Sequence, residues 1–432
     1  VLALERKLLR RPAGLFAPAG IAARLSIDPP DLRLDLAGEA ITATATPMQI
    51  AFDGTLADIA ALTALAAGRQ PDIDILLGGH AYDHAAPMVD NRIFVAAGIE
   101  DVLARAVTLT LRAVARFSRG ERTAIPYVAN AHAPAFAATY LASSVPRIAR
   151  EIIRRSRYRF AHWRVGYRLT DGPGVAETGA LGTGWAVLPD DGSRFYADPF
   201  PFEHDGRRYI FVEDYPHATR KAVISVAELD AHGVAGKPRP VLEEPHHLSY
   251  PQVFAHDGQI WMLPEGSGSA RLTLYRAEDF PNRWVPAATL LEGEISDATL
   301  LHRADGFWLF ATDRDGGGST SDTLVVFHAP ALTGPWTPHR QNPILIDRRR
   351  ARPGGAVIAS GSQLALPVQD GTLGYGGGLG LSTILRLDAE AVELGDPRPV
   401  SSAGDFPYPQ IHTLNRAGRL EVIDGIAAVR KR

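Results

Sequence analysis

The chain has 432 residues, 22% of them charged, with a formal net charge of -3 and no cysteine. That length can bury a large core and accommodates two or three domains. The charge balance argues against a nucleic-acid backbone as the main partner, and the lack of cysteine excludes disulfide and thiolate chemistry, so a neutral or acidic small ligand fits better.

The opening stretch VLALERKLLRRPAGLF sets four basic residues among the apolar ones before a signal-like run forms, and no run reaches transmembrane length. A cytoplasmic protein is expected. Next, DLRLDLAGEAITATATPMQIAF (31–52) alternates as strands do, PDIDILLGG (71–79) reads as a short buried strand, and IEDVLARAVTLTLRAVARFSRG (99–120) carries apolar residues at helical spacing with a glycine stop. These elements predict a smaller N-terminal α/β domain over 1–144. The stretch GGHAYDHAAP (78–87) supplies His80, Asp83 and His84. Histidines four apart would suit a metal on a helix, but the glycines before and the proline after predict a loop, and no metal or other cofactor is expected.

Residues 145–161 predict a basic linker helix. The wider stretch VPRIAREIIRRSRYRFAHWR (145–164) is rich in arginine and has no lysine. A solvated helix between domains accounts for it. A peripheral membrane or polyanion contact is the alternative, with Ile148, Ile152, Ile153 and Tyr158 forming one apolar side.

From 162 to 432 the chain repeats. HDGRRYIFVE (204–213) is matched by HDGQIWMLPE (256–265), ADGFWLFATD (304–313), ASGSQLALPV (359–368) and RAGRLEVIDG (416–425). The turn glycines Gly206, Gly258, Gly306, Gly361 and Gly418 are spaced by 52, 48, 55 and 57 residues. Each copy is a hairpin signature, and most are followed by a further strand-like run. Three to four strands per unit, five times over, predict a mainly β chain folded as a five-bladed β-propeller, with HWRVGYRL (162–169) closing the ring against the last blade.

In a propeller the innermost strands line a central funnel. Asp198 lies eight residues before its glycine and Asp297 nine before, whereas Glu213, Glu265 and Asp313 each lie seven after. Antiparallel pairing sets these two groups side by side, so the acids are expected at one end of the structure. The later blades place Arg352, Gln369, Asp370 and His412 at comparable positions, with Tyr196, Tyr250 and Tyr375 nearby. Paired donors, acceptors and aromatic faces suit a polyhydroxylated ligand. Asp205, Asp257 and Asp305 read as ordinary turn residues. Arg352 and Asp370 could instead form a structural ion pair.

The motifs YADPF, MLPEG, SDATLL, ARPGG with QDGTLGYGGG, and HTLN resemble a specific group of propeller domains. They are similar to the N-terminal propeller of plant glucosamine inositolphosphorylceramide transferases, and to bacterial proteins in which the same propeller follows a formyltransferase-like domain. The resemblance covers roughly residues 160 to 428 and is more distant to glycoside hydrolase family 43. It implies a bacterial source, a base or nucleophile at Asp198 and a carboxylic acid partner. The relatives' blade-two aspartate has no match in SYPQVF, and Asp297 stands where they carry a glutamate, so Glu265 is the natural substitute. The N-terminal region lacks the Asn-His-Asp set and the Ser-Leu-Leu-Pro loop of a formyltransferase, which implies a shrunken, inactive remnant.

The expected function is a carbohydrate-active enzyme, a glycoside hydrolase or transglycosidase with a furanoside among its candidate substrates. Its catalytic residues would be Asp198, Glu265 and Asp297, and its substrate-binding residues Glu213, Tyr196, Tyr250, Arg352, Gln369, Asp370, Tyr375 and His412. Two alternatives stay open. One is a glycan-binding module without catalysis. The other is an enzyme acting on nucleotide- or lipid-linked sugar, with Arg352 receiving a phosphate.

Overall fold

A computed structural model describes residues 32–35, 46–127, 135–159, 161–360 and 363–431. It is mainly β, and it divides into two compact units: the described residues up to Arg157 together with Asp315–Asp322, and Tyr158–Arg314 together with Thr323–Arg432. Among the described residues no helix is long and apolar enough to cross a membrane.

The first unit contains a five-stranded sheet in the order Leu32–Asp35, Thr46–Phe52, Ile73–Leu77, His80–Ala85, Ile125–Pro126, parallel only in its first pair. The helix expected at 99–120 runs from Val95 to Ser118. It buries Ile99, Val102, Ala106, Leu109 and Ala113 at alternating spacings of three and four, the period of one helical face. Gly120, at φ 83°, follows its end. The stretch expected as a loop around His80 is instead a strand. Gly78 and Gly79, at φ 57° and 82°, make a two-residue turn that returns His80–Ala85 antiparallel onto Ile73–Leu77. The three candidate ligands there have other partners: His80 Nδ1 lies 3.2 Å from the Gly78 carbonyl and His84 Nδ1 2.9 Å from Asp74, while Asp83 accepts two bonds from Arg112.

The second unit holds antiparallel sheets built in sequence order. Arg194–His204, Arg207–Pro216, Val223–Leu229 and Arg239–Leu242 form the first, and Ser249–His256, Gln259–Glu265, Arg271–Asp279 and Arg283–Glu292 the second. The third is Ile295–Arg303, Gly306–Asp313 and Thr323–Ala329 with two short outer strands, and the fourth is Ile358–Ser360, Gln363–Gln369 and Leu379–Leu387 with two more. The fifth pairs Ile411–Ala417 with Leu420–Ile426, and the latter pairs with Trp163–Leu169 from the start of the unit. That is the pairing expected of HWRVGYRL.

The Asp-Gly turns explain the hairpins. Asp205 and Asp257 at φ 48°, followed by Gly206 at 73° and Gly258 at 70°, give the doubly left-handed turn that matches strand twist. In the third hairpin Arg303 pairs Gly306, so the turn falls on Ala304 and Asp305 and the glycine comes one residue late. Gly361 lies outside the described residues. Apolar faces pack between consecutive sheets, as where Leu263 and Leu274 meet Ile295, Leu300 and Leu309. Each such side chain contributes about 1.5–3 kcal/mol by leaving water.

Candidate active site

One backbone irregularity recurs in four hairpins. Ala197 pairs Glu213 and Phe200 pairs Phe211, so Asp198 and Pro199 bulge opposite Val212 alone. Tyr250 and Pro251 bulge likewise between the Ser249–Glu265 and Gln252–Leu263 pairs. The same holds for Asp297 and Ala298 in the third sheet and for His412 and Thr413 in the fifth. Asp198, Tyr250, Asp297 and His412 are therefore equivalent positions, and the first three are left-handed at φ 48°, 48° and 46°. Side chains with a Cβ resist that conformation at a cost of about 1–3 kcal/mol each, and such residues persist only where the surroundings over-determine them.

The surroundings do so with carboxylates. Asp198 N donates to Asp424 Oδ2 at 2.9 Å, and Asp297 N donates to Glu265 Oε2 at 3.1 Å. Each acid sits on a different sheet from the residue it holds, Glu265 on the second for Asp297 of the third and Asp424 on the fifth for Asp198 of the first. Tyr250 is fixed through its hydroxyl, which lies 2.8 Å from Thr299 Oγ1 and accepts from Gly355 N at 2.6 Å. Gly355 has to be glycine, because a Cβ there would stand 2.1 Å from the Leu414 carbonyl.

Around this frame the charged groups form two clusters. In one, Arg352 donates through Nε and Nη2 to Asp297 at 2.5 and 3.1 Å, Gln369 Nε2 donates to the same carboxylate at 2.6 Å, and Arg352 Nη2 lies 3.7 Å from Glu265. Glu265 also accepts from Ser267 and Ser296. Burial pushes Asp297 up while Arg352 pulls it down, and Asp297 in turn holds Arg352 charged in spite of burial. In the other cluster His412 lies between two aspartates, with Nδ1 2.7 Å from Asp424 Oδ1 and Nε2 3.2 Å from Asp198 Oδ1. Burial opposes its charge, but Asp424 and Asp198 outweigh that and raise His412 to about 10, so it is an imidazolium at neutral pH. Trp163 stacks on it with centroids 3.9 Å apart, and Tyr375 Oη is 3.4 Å from Nε2. Gly376, at φ 71°, permits that approach, since a Cβ would stand 2.3 Å from the Trp163 ring.

Glu213 has a different partner, His247, at 3.2 Å. Burial pushes Glu213 up, His247 opposes this, and the nearby Asp198 adds to the rise. His247 is itself raised: burial opposes its charge, but the Glu213 hydrogen bond together with the charges of Glu213, Glu265 and Asp198 outweighs it.

Asp198, Glu213, Glu265, Asp297, Arg352, Gln369 and His412 are thus brought together, all buried, with the half-exposed Tyr375 beside them. Tyr196 is not among them: it packs with Val165, Ile210 and Val212 in the core between strands. Tyr250 is fully buried and serves as a brace. Asp370 accepts from Thr372 N at 2.9 Å in a short turn, whereas Arg352 pairs with Asp297 and Glu265. Asp313 pairs Ile295 while Thr312 takes the place of Glu213 and Glu265, a consequence of the late glycine in that hairpin.

Sequence reasoning missed His247, Asp424 and Trp163. Asp424 lies in the VIDG end of the fifth repeat, one residue before the position at which MLPE and IFVE carry their acids. Asp198, His412 and Asp424 offer ligand atoms within 4.8 Å of one another, close enough for a cation. A cation there would have to displace a proton from His412, since a doubly protonated imidazolium has no lone pair to give.

Residues 186–394 match the family model described as glucosamine inositolphosphorylceramide transferase 1, N-terminal. The proteins of that name from Arabidopsis thaliana and Oryza sativa subsp. japonica are each 33% identical over 202 residues, 46% of this chain and 26% and 27% of theirs. The chain therefore matches about a quarter of the length of these relatives. They are plant proteins, at odds with the bacterial source implied by the motifs. Among solved structures, a thermostable family-43 glycoside hydrolase aligns with TM-score 0.39 and 13% identity over 50% of this chain and 83% of its own. The catalytic domain of a Coprinopsis cinerea GH62 alpha-L-arabinofuranosidase aligns with TM-score 0.39 and 16% identity over 52% and 78%. Across residues 186–394 the resemblance read from the motifs stands, and what this chain is similar to there is the N-terminal domain of glucosamine inositolphosphorylceramide transferase 1.

Proposed function

We propose that the five antiparallel sheets of the second unit are the blades of a five-bladed propeller closed by Trp163–Leu169, and that its bulged inner strands carry a site that cleaves or transfers a glycosyl unit. The observation behind this reading is how the acids are used. Glu265 and Asp424 each accept a backbone N–H of the following sheet, which is a structural role. Asp198 and Glu213 meet imidazoles and, among the described residues, hold no such backbone group, whereas Asp424 shares the His412 imidazole while also holding Asp198 N.

Glycosyl transfer needs one ionised carboxylate to attack the anomeric carbon or activate water, and one protonated carboxyl to donate to the leaving oxygen. Asp198 beside the His412 imidazolium suits the first task. Glu213, pushed up by burial, suits the second and displaces Glu265 as the preferred acid. Asp297, Arg352 and Gln369 then position sugar hydroxyls, and Tyr375 offers a stacking face. The name of the relatives, glucosamine inositolphosphorylceramide transferase 1, supports transfer of a glycosyl unit to a lipid-linked acceptor over its hydrolysis.

The second reading, a glycan-binding module, is favoured by the several donors already engaged by Asp297 and Glu265, which make a rigid ring. Incubation with a panel of aryl furanosides and pyranosides separates the readings, with Asp198→Asn, Glu213→Gln and Glu265→Gln in parallel. Turnover lost in the first two and retained in the third is expected. Turnover lost in Glu265→Gln but kept in Glu213→Gln restores the pair read from the sequence. Silence of the wild type with sugar binding by calorimetry leaves the binding module.

A further inference from the structure

The helix Val145–Arg157 carries a feature that the sugar chemistry does not use. It buries none of its residues completely, and it holds five arginines against one glutamate in a chain of net charge -3. Within the first unit its orientation is fixed at one end. Ser144 Oγ donates to the Ala66 carbonyl at 3.0 Å, and Arg147 donates to the Ala66 and Leu65 carbonyls at 3.3 and 3.0 Å. Those bonds satisfy the last carbonyls of the helix Ile59–Ala66 and fix which faces of the second helix remain outside.

Two stripes remain there. Val145, Ile148 and Ile152 follow the i, i+3, i+7 spacing of one helical face, and Leu141 extends it one turn upstream. Leu141 is 69% exposed, Val145 46%, Ile152 63% and the adjoining Ile153 53%. Arg150, Arg154 and Arg157 follow i, i+4, i+7 on the opposite face, where Arg154 is paired with Glu151. Tyr158, expected to join the apolar side, leaves the helix and bridges to Arg430 instead.

We propose that this helix docks the protein onto an anionic lipid surface, lying in the interface with Leu141, Val145, Ile152 and Ile153 among the acyl chains and Arg150 and Arg157 at the headgroups. The charge decides the occupant. An apolar stripe alone would fit a second copy of the chain, but a second copy brings no anionic group to Arg150 and Arg157 on the far face, whereas anionic headgroups neutralise a helix of five arginines and one glutamate. Arginine also suits phosphate, through its planar fork of donors. The proposal stands independently of the glycosyl site.

The test is co-sedimentation of the full chain with vesicles of phosphatidylcholine, with and without phosphatidylserine. Binding is expected only when phosphatidylserine is present, and it should fall as salt rises. Arg150→Gln with Arg157→Gln should lower partitioning by more than about tenfold. Ile152→Ser with Ile153→Ser, at exposed positions, should abolish it while circular dichroism stays unchanged. Equal sedimentation with neutral vesicles, or variants that bind like the wild type, would overturn the proposal. So would a wild-type dimer in sedimentation velocity that the isoleucine variant converts to monomer.

Discussion

Each unit of the molecule contains a buried arginine–aspartate pair, and the two are built for different ends. Arg105 Nε meets Asp322 Oδ1 at 2.7 Å with both side chains at 0% exposure; Arg105 Nη2 donates to the Ser319 carbonyl, and Asp322 accepts from Met88 N. That pair ties loop backbone and is sealed. Arg352 meets Asp297 among a second carboxylate and an amide, next to Tyr375 at 49% exposure. A buried ion pair is by itself weak evidence for stability, since removing water from both charges offsets most of their attraction, and it does not by itself mark a site. What marks the second pair is its company: further donors and acceptors that converge and an aromatic edge reaching solvent.

The sharpest way to break the comparison is to remove the cations. Arg105→Met leaves Asp322 buried without its partner and should destabilise the protein by about 3–5 kcal/mol, read as a lower urea midpoint, with partial recovery in the double variant carrying Asp322→Leu. Glycoside turnover or sugar binding by the fraction still folded should be unchanged. Arg352→Met should abolish that binding in protein that remains folded. If both variants behaved alike, the second pair would be structural too.

The two units should also differ in their response to pH. Burial, with Asp90 adding to it, raises Asp101 of the first unit to about 7. A carboxyl raised above its unfolded value binds its proton more tightly in the fold, so its stabilisation is full at low pH and is lost as pH climbs towards 7. His412 of the second unit is raised to about 10. Its stabilisation is present below the unfolded histidine value of about 6.5 and disappears as pH rises through 10, amounting to about 3 kcal/mol between neutrality and pH 9. Asp101→Asn should remove the acid-side slope and His412→Asn the alkaline one, in chemical denaturation followed across that range. A single shared slope that survives both substitutions would sink the assignment.

Much of the second unit was legible because glycine and aspartate encode turns locally. Gly206, Gly258 and Gly418 mark two-residue loops, and the strands beside them follow from alternation. The third repeat shows the limit, since its glycine falls one residue past the turn and shifts both Asp297 and Asp313 by one in a count made from it. The acids could be placed at one end by pairing alone, but their partners could not. His247 reaches Glu213 from 34 residues away, Asp424 reaches Asp198 from 226, and Trp163 stacks on a histidine near the far terminus. Such contacts depend on how sheets face one another, which no local pattern records. Gly78 and Gly79 misled for the opposite reason, because a pair of glycines makes a hairpin as readily as a loop.

Tyr250 offers the smallest and most specific test. It occupies the bulge position that is acidic in the first and third sheets, and its hydroxyl serves Thr299 and Gly355 at once. Tyr250→Phe keeps the ring, and with it the packing against Phe200, but leaves the buried Gly355 N–H without its acceptor. The expected loss is about 1–2 kcal/mol, the penalty of one unsatisfied buried donor. Because Gly355 follows Arg352 by three residues, a brace at Tyr250 should also fix the guanidinium. Sugar affinity should then weaken by more than the stability change alone explains. A variant that loses stability but binds as well as wild type would show that Arg352 is held by Asp297 without help from Tyr250, and that the bulges of the second and third sheets act separately.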